Sequence, residues 1–372
     1  MNLLVVTYKV DEDDSLVGFV TGWLNALAAR LARLEVICLA RGPARLGDNV
    51  RVHSLGKEHR ARKFAQAVEF YRVALRVQAD AVFCQFSPVF VMAIAPVAKM
   101  RGWPIVLWYT HRHVDLKLRI ATALADRIVT ASPESFGLRS PKARVIGHGI
   151  DTNRFSPGQT PDDQSSGVED RSRLSDVQPG DSSPGGARTM VLAVGRIAPI
   201  KNYEMLIEAA ARIAPQRPEV DFVVAGGVQT GSLDDYFDRL RALVAARGLA
   251  DRFCFLGPVP HGEMPALYRR AAVTVNLCPT GGLDKAVLEG MAAGRPALVC
   301  NRSFAPLLGD EAEAALIPEG DVAALAGRLN AVLDAPGRAR NEMGMKLRER
   351  VVAAHGLERL AGSLVRVCEE VR

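Results

Sequence analysis

Apolar residues in the first part of the chain come in short continuous runs separated by longer stretches of helical spacing. Residues 3–7 form the first run, and "GFVTGWLNALAARL", residues 18–31, repeats apolar positions at three- and four-residue intervals. Strand-like "LEVICLA" and "VRVHSL" follow, then helical "RKFAQAVEFYRVAL", strand-like "AVFCQF" and helical "VFVMAIAPVAKM". "PIVLWYTH", "RIVTAS" and "ARVIGHG" continue as strands, with "LRIATALA" as a helix. Short strands alternating with helices predict a parallel sheet covered on both faces. The rhythm stops at residues 156–188, rich in Ser, Asp, Pro and Gly. Such a stretch buries too little apolar surface to order itself and reads as a flexible linker or insertion, with a docking segment as the alternative. Beyond it, "TMVLAVG", "VDFVVAGG", "FCFLG", "VTVNLCP" and "PALVC" read as strands. Helices are expected over "YEMLIEAAARIA", "LDDYFDRLRALVAARG", "EMPALYRRA" and "KAVLEGMAAG", and "LERLAGSLVRVCEEVR" closes the chain as an amphipathic helix. The expected class is α/β, with two doubly wound, Rossmann-like domains facing across a cleft. Residues 1–155 would form the first domain, 156–189 the linker or insertion, 190–354 the second domain, and 355–372 a helix packing back toward the first.

Composition narrows the picture. A chain of 372 residues suffices for two domains, and 48% hydrophobic with 24% charged residues is ordinary for a globular protein. No run of 18 apolar residues occurs, and "MNLLVVTYKV" reads as a first strand rather than a leader. Six dispersed cysteines without a CxxC pair read as reduced, small apolar residues. The net charge of +6 is uneven: residues 1–150 carry 21 Lys and Arg against 12 Asp and Glu, the remainder 26 against 29. A basic first half suits an anionic partner such as a bilayer surface or a phosphorylated acceptor, the alternative being a solvated basic surface. No aromatic-interleaved basic module is present, so no nucleic-acid partner is expected.

In doubly wound sheets ligands bind outside the carboxyl ends of the strands. Four loops there carry candidate chemistry. "CPTGGLDKAVLEG" sets Gly281 and Gly282 just before a helix, where amides and the helix dipole attract phosphate and glycine permits close approach. Lys285 would add positive charge, and Glu289, one turn on, offers acceptors for paired sugar hydroxyls. The structural alternative is an Asp284 N-cap with a surface Lys285–Glu289 pair. "VGRIAPIKN" places Gly195 and Arg196 at a strand end and Lys201 before the next helix, which suits a diphosphate of roughly two negative charges. Gly226 and Gly227 in "VVAGGVQTG" are a weaker signal, and "FLGPVPHGEMPALY", containing Val259, offers backbone for a planar base.

The ordered set "VGRIAPIKNYEMLIEAA", "FLGPVPHGEMPALYRRA" and "GGLDKAVLEGMAAGRPAL" resembles the retaining glycosyltransferases of family 4, which have the GT-B fold. "VLWYTHRHVDLKLRIATALADRIVTASPESF" and "VIGHGIDTNRFSP" resemble the family more loosely. The resemblance implies that Arg196 and Lys201 hold and stabilise a departing diphosphate, and that Glu289 binds ribose hydroxyls. It also implies that Gly281 and Gly282 approach the donor, and that His111 faces the transferred sugar; His113 and His148 stay open between roles. The chain departs from the family in having Gly281 where a first glutamate is usual, and Asp284–Lys285 where Phe–Gly is usual. This "LDK" form resembles one branch of the family. The usual glycine-rich loop after the first strand is replaced by "YKVDEDDSLVG", whose Asp14 and Gly18 read either as a solvated acidic turn or as acceptor contacts.

The implied reaction moves a sugar, of hexosyl type, from a nucleotide-diphosphate sugar to an acceptor hydroxyl, with retention, and with neither cofactor nor metal. A lipid-linked or growing glycan acceptor and a cytoplasmic setting at the inner membrane face go with it. The rivals are a nucleotide-sugar 2-epimerase and an inactive nucleotide-sugar-binding protein. A nicotinamide-dependent dehydrogenase would want GxGxxG after a strand, which neither "TYKVDEDDSLVG" nor "VGRIAPIKN" supplies.

Overall fold

The computed structural model describes residues 1–158, 188–228 and 234–372. Most of the stretch read as a linker lies outside the described residues. The chain divides into two compact units. One comprises Met1–Asp151, Pro260–Gly262 and Ala354–Arg372; the other comprises Thr152–Val259 and Glu263–Ala353.

The first unit is built on seven strands: β1 (Asn2–Val10), β2 (Arg33–Arg41), β3 (Val50–Ser54), β4 (Ala81–Gln85), β5 (Ile105–Trp108), β6 (Arg127–Thr130) and β7 (Ala143–Val145). Their order is β3-β2-β1-β4-β5-β6-β7, with every pair parallel. Alternation along β1 divides the core: Leu3 and Val5 enter one apolar cluster, Leu4 and Val6 the other. Side chains two apart share a face, so a continuous apolar run feeds both sides of a buried sheet. Helix α1 (Phe19–Ala28) covers the first face through Val20, Trp23, Leu24 and Leu27. The opposite face is covered by α2 (Lys63–Arg76), α3 (Pro88–Arg101) and α4 (Leu116–Leu124). Ser87 caps α3 and Asp115 caps α4, each through a side-chain oxygen that accepts a first-turn amide.

The second unit has five parallel strands: β8 (Thr189–Val194), β9 (Val220–Ala225), β10 (Phe253–Gly257), β11 (Ala271–Asn276) and β12 (Ala297–Val299). Their order is β10-β9-β8-β11-β12. Helices α5 (Tyr203–Ile213), α6 (Asp234–Ala246), α7 (Met264–Arg270) and α8 (Lys285–Ala292) follow β8, β9, β10 and β11 in turn. The stretch after β12, for which the apolar pattern gives no clear element, is helical. It holds the single turns α9 (Ala305–Leu308) and α10 (Ala312–Ala315), then α11 (Val322–Asp334) and α12 (Gly337–His355). Leu325 and Leu329 of α11 are fully buried in the same core as Leu206 and Ala210 of α5.

The closing helix α13 (Leu357–Glu370) belongs to the first unit, where it packs on α1. Leu360, Leu364 and Val367 enter the cluster that holds Trp23 and Leu27. The Ile150 amide donates to the His355 carbonyl at 2.7 Å, and the Leu357 amide to the Ile150 carbonyl at 2.8 Å. The chain therefore returns to its first sheet by backbone pairing as well as by apolar packing.

Candidate functional site

In each sheet the connections reverse direction at one point: between β1 and β4 in the first unit, and between β8 and β11 in the second. Loops leaving such neighbours diverge and open a crevice. In the second unit those two loops hold Gly195–Lys201 and Cys278–Asp284, most of the residues singled out from sequence.

The β8 loop leaves the sheet at Gly195, passes the exposed Arg196 and makes a short 3-10 turn, Pro199–Lys201. Lys201 reaches back over Gly195. A β-carbon added to Gly195 would stand 3.0 Å from Lys201 Cε and 3.2 Å from the Tyr203 hydroxyl. That hydroxyl donates to the Gly195 carbonyl at 2.8 Å and so anchors the loop to α5. The neighbouring β9 loop presses from the other side: a β-carbon on Gly226 would lie 1.9 Å from the Gly195 carbonyl oxygen. Glycine is required there by contact, since no side chain fits between the two backbones. Gly227 packs beside Pro258, and its carbonyl accepts the Ile197 amide at 2.9 Å. Val259, next along the β10 loop, is partly buried.

From β11 comes the counter-charge. Lys201 Nζ forms an ion pair with the Asp284 carboxylate, bridging the β8 and β11 loops. Asn276, at the end of β11, donates its side-chain amide to Asp284 Oδ2 at 3.0 Å, and its Oδ1 accepts the Cys278 amide at 3.2 Å. Asp284 Oδ1 also accepts the Ala286 amide at 3.2 Å and thereby caps α8. Burial pushes the Asp284 carboxyl up, but the Lys201 ammonium and the hydrogen bonds from Asn276 and Ala286 outweigh it and hold the group below its ordinary value. The pair is therefore ionised at neutral pH, and Asp284 fixes where the ammonium stands.

The glycine turn is shaped from outside. Gly281 has φ +114, a backbone region that favours glycine. Asn301 donates to the carbonyls of Gly282 at 3.1 Å and Gly281 at 3.3 Å, and the Ser303 hydroxyl lies 3.4 Å from the Gly281 carbonyl. With its carbonyls held on that side, the turn has a fixed orientation.

On α8, Glu289 is buried and Lys285 Nζ lies 3.2 Å from its Oε1. The fully buried Tyr268 donates its hydroxyl to the Ala286 carbonyl at 2.8 Å and stands 3.4 Å from Glu289 Oε2. Burial, with Glu289 and Asp284 nearby, drives the Tyr268 phenol well above its usual value, so it stays a neutral donor. Both interactions of the structural alternative, the Asp284 cap and the Lys285–Glu289 pair, are present. The amide taken by Asp284 is Ala286's, which leaves the turn before α8 as the backbone facing the β8 loop.

The remaining sequence-derived candidates belong to the first unit. His111 and His113 lie exposed in the loop after β5. The Tyr109 ring stands edge-on to the His111 ring at 5.5 Å, and the Tyr109 hydroxyl donates to the His113 carbonyl at 2.9 Å. The acidic turn after β1 is internally paired. Lys9 bridges Asp11 at 2.7 Å and Asp14 at 2.8 Å, while Asp14 Oδ1 accepts the amides of Leu16 and Val17. Gly18 starts α1 with no room for a β-carbon, which would sit 2.6 Å from the Asp14 carbonyl oxygen. These bonds account for the Asp14 and Gly18 residue types by turn geometry. Tyr203, Tyr268, Asn276 and Asn301 escape the sequence reading. The available signal was an Asn at or just past the end of a buried strand, where its side chain can hydrogen-bond turn backbone.

Residues 178–350 match the family described as glycosyl transferases group 1. The two glycine-bearing loops of the β8–β11 crevice fall inside the matched range. A D-inositol 3-phosphate glycosyltransferase of Acidothermus cellulolyticus is 30% identical over 227 residues, 58% of this chain and 47% of that protein. The lipopolysaccharide core biosynthesis mannosyltransferase LpsB of Rhizobium meliloti is 27% identical over 63% of this chain and 70% of its own length. The chain spans about half or less of the length of the first curated relatives it matches. Among solved structures, Anabaena Alr3699/HepE in complex with UDP and glucose superposes with TM-score 0.73 at 18% identity, covering 100% of both chains. Sucrose-phosphate synthase from Thermosynechococcus elongatus gives 0.73 at 18%, over 100% and 99%. The architecture is that of the GT-B glycosyltransferases: two α/β domains, each on a parallel sheet.

Proposed function

We propose that this chain is a retaining, hexosyl-type glycosyltransferase of the family 4 kind, which moves a sugar from a nucleoside-diphosphate donor to an acceptor hydroxyl. The observation that carries the reading is the ammonium of Lys201, fixed over Gly195 by Asp284 and Asn276 at the switch point of the second sheet. Departure of a diphosphate is the difficult step in such a transfer. Cations already aimed at the place where that charge develops lower the barrier without reorganising. Lys201 and Arg196 supply them, and the backbone of Gly281 and Gly282 adds amide dipoles. Because Asp284 neutralises part of the Lys201 charge, Arg196 carries more of the diphosphate's attraction, and Lys201 contributes position. The reaction so drawn calls for no metal or cofactor. Glu289 accepts the ribose hydroxyls, displacing Lys285 toward the phosphates, while Gly226, Gly227 and Val259 border the base. His111 touches the transferred sugar, with His113, Asp14 and Gly18 on the acceptor side. A lipid-linked or growing glycan acceptor fits the basic first unit, and with it a place at the cytoplasmic face of an anionic membrane.

The test is Lys201→Met, which keeps the stem and removes the charge. Turnover should fall by about 100-fold or more, the cost of losing a charge-stabilising group at a transition state, with thermal unfolding little changed. Unaltered turnover removes the assignment. Glu289→Gln should weaken nucleotide binding by roughly tenfold, a loss of about 1.4 kcal/mol, and an unchanged dissociation constant counts against the ribose role. Incubation with donor alone separates transfer from 2-epimerisation, which would proceed without acceptor. Nucleotide binding without any turnover would point to the inactive binding protein.

A further inference from the structure

Helix α2 has two apolar stripes where a surface helix needs one. Phe70, Val73 and Ala74 are buried in the core beneath it. Phe64, Val68, Tyr71 and Leu75 are exposed by 81%, 52%, 39% and 45%. Their spacing of four, three and four residues aligns them along one line of the helix. Over 11 helical intervals that line runs roughly 16 Å. Phe64 is the most exposed of the large apolar side chains, and beside it the chain gathers Lys57, Arg60, Arg62 and Lys63, all exposed. Residues 57–76 hold six Lys and Arg against Glu58 and Glu69. Glu69 is occupied by Arg72, with two bonds of 2.6 Å. Helices α3 and α4, in the same layer, continue the pattern: Met100 is 65% exposed beside Lys99 and Arg101, and Leu116 is 71% exposed beside Lys117 and Arg119.

We propose that the outer face of α2 is a docking surface for an anionic lipid bilayer, with Phe64, Val68, Tyr71 and Leu75 entering the interface and the flanking cations meeting phosphate headgroups. An exposed apolar line on a convex helix, edged by Lys and Arg, matches an interface that is apolar in depth and anionic at its surface. The proposal gives a location to the membrane contact in the functional reading above. It rests on lipid binding and not on turnover, so failure of the transferase assignment would leave it standing.

The full chain is sedimented with vesicles of phosphatidylglycerol and phosphatidylcholine, and with phosphatidylcholine alone. Binding to the anionic vesicles should be at least about tenfold tighter and should weaken as salt is raised. Phe64→Ser with Leu75→Ser should lower the partition coefficient by roughly tenfold or more, with circular dichroism and unfolding temperature unchanged, because both side chains are exposed. Arg62→Glu with Lys63→Glu should do the same on anionic vesicles only. A Phe64→Trp chain, folded whatever the serine variants do, should show a blue-shifted emission increment on vesicle addition. Equal partitioning of wild type and the serine variant, absence of wild-type binding, or no shift from the introduced indole each overturns the proposal. A lipid-independent dimer that the serine variant abolishes would assign the face to a second copy of the chain, and overturn it as well.

Discussion

At the scale of single residues, two buried titratable groups make opposite use of their surroundings. Asp284 is held below its ordinary value because Lys201, Asn276 and the Ala286 amide favour the charged form. The stability it contributes is complete above the unfolded value of 3.8 and is lost as pH falls through the lower, folded value. Asp284→Asn should cost about 1–3 kcal/mol at neutral pH, because it leaves a partly buried ammonium without its partner. It should also flatten the acid limb of the stability profile below about pH 4. Urea unfolding between pH 7 and 3 measures both. His355 is the reverse case. Burial, with Arg359 nearby, holds its imidazole down at about 4, and its Nδ1 accepts the His148 amide at 3.2 Å. The unfolded chain takes up this proton near pH 6.5 and the folded chain only near 4. Stability from His355 is therefore full above pH 6.5 and declines through that window, by about 3 kcal/mol at its lower end. His355→Asn, which keeps an acceptor but no titration, should remove that slope, and an unchanged slope would assign it to another group. The six cysteines are free; Cys38, Cys84, Cys300 and Cys368 are buried, Cys254 and Cys278 only partly. Burial raises the Cys38 thiol to about 12, so disulfide reagents should label only Cys254 and Cys278 at neutral pH before unfolding.

At the scale of elements, glycines show how closely the helices and loops approach. Gly344 lies within α12, and a β-carbon on it would stand 2.0 Å from the Gly294 carbonyl oxygen in the turn after α8. Gly327 lies within α11 with nothing inside 4 Å. Gly344→Ala should destabilise by about 1–3 kcal/mol, since backbone must move. Gly327→Ala should stabilise by roughly 0.5–1 kcal/mol through helix propensity and unfolded-state entropy. Chemical denaturation of the two variants compares them directly, and equal effects would contradict the approach of α12 to Gly294. Strands β1, β4, β8 and β9 were legible in the sequence because a strand buried on both faces is a short unbroken apolar run. Helix α12 was not: its sequence, "GRARNEMGMKLRERVVAAH", is polar around most of its circumference. Leu347 and Val351 are its fully buried anchors, too few to make a periodic signal. The same limit hid Asn276 and Asn301, whose importance depends on which backbone groups come within reach.

For the whole molecule, the uneven charge and the two sheets divide the labour. The donor-side candidates lie in the second unit, and the exposed basic helices in the first. A ligand that binds only the folded second unit must stabilise it. A nucleoside diphosphate at about 100 times its dissociation constant should add roughly 2.7 kcal/mol. Calorimetry should show that gain for the wild-type chain and less of it for Lys201→Met. An equal gain in both would mean that the diphosphate does not contact the Lys201 ammonium.

The sequence by itself determined the class of fold and the loops in which chemistry should be sought. Apolar periodicity is a local property, and the carboxyl ends of strands follow from it. It also displayed Gly195, Arg196, Lys201, Gly281 and Glu289 in order, and the excess of positive charge in the first 150 residues. Tertiary structure alone decided that Lys201 is partnered by Asp284, 83 positions away, and that Gly226 is glycine because the Gly195 carbonyl leaves no space. It also decided that α2 turns a second apolar stripe outward. Each of these depends on distances between segments remote in sequence, which close packing of the sheets fixes and which no local pattern encodes.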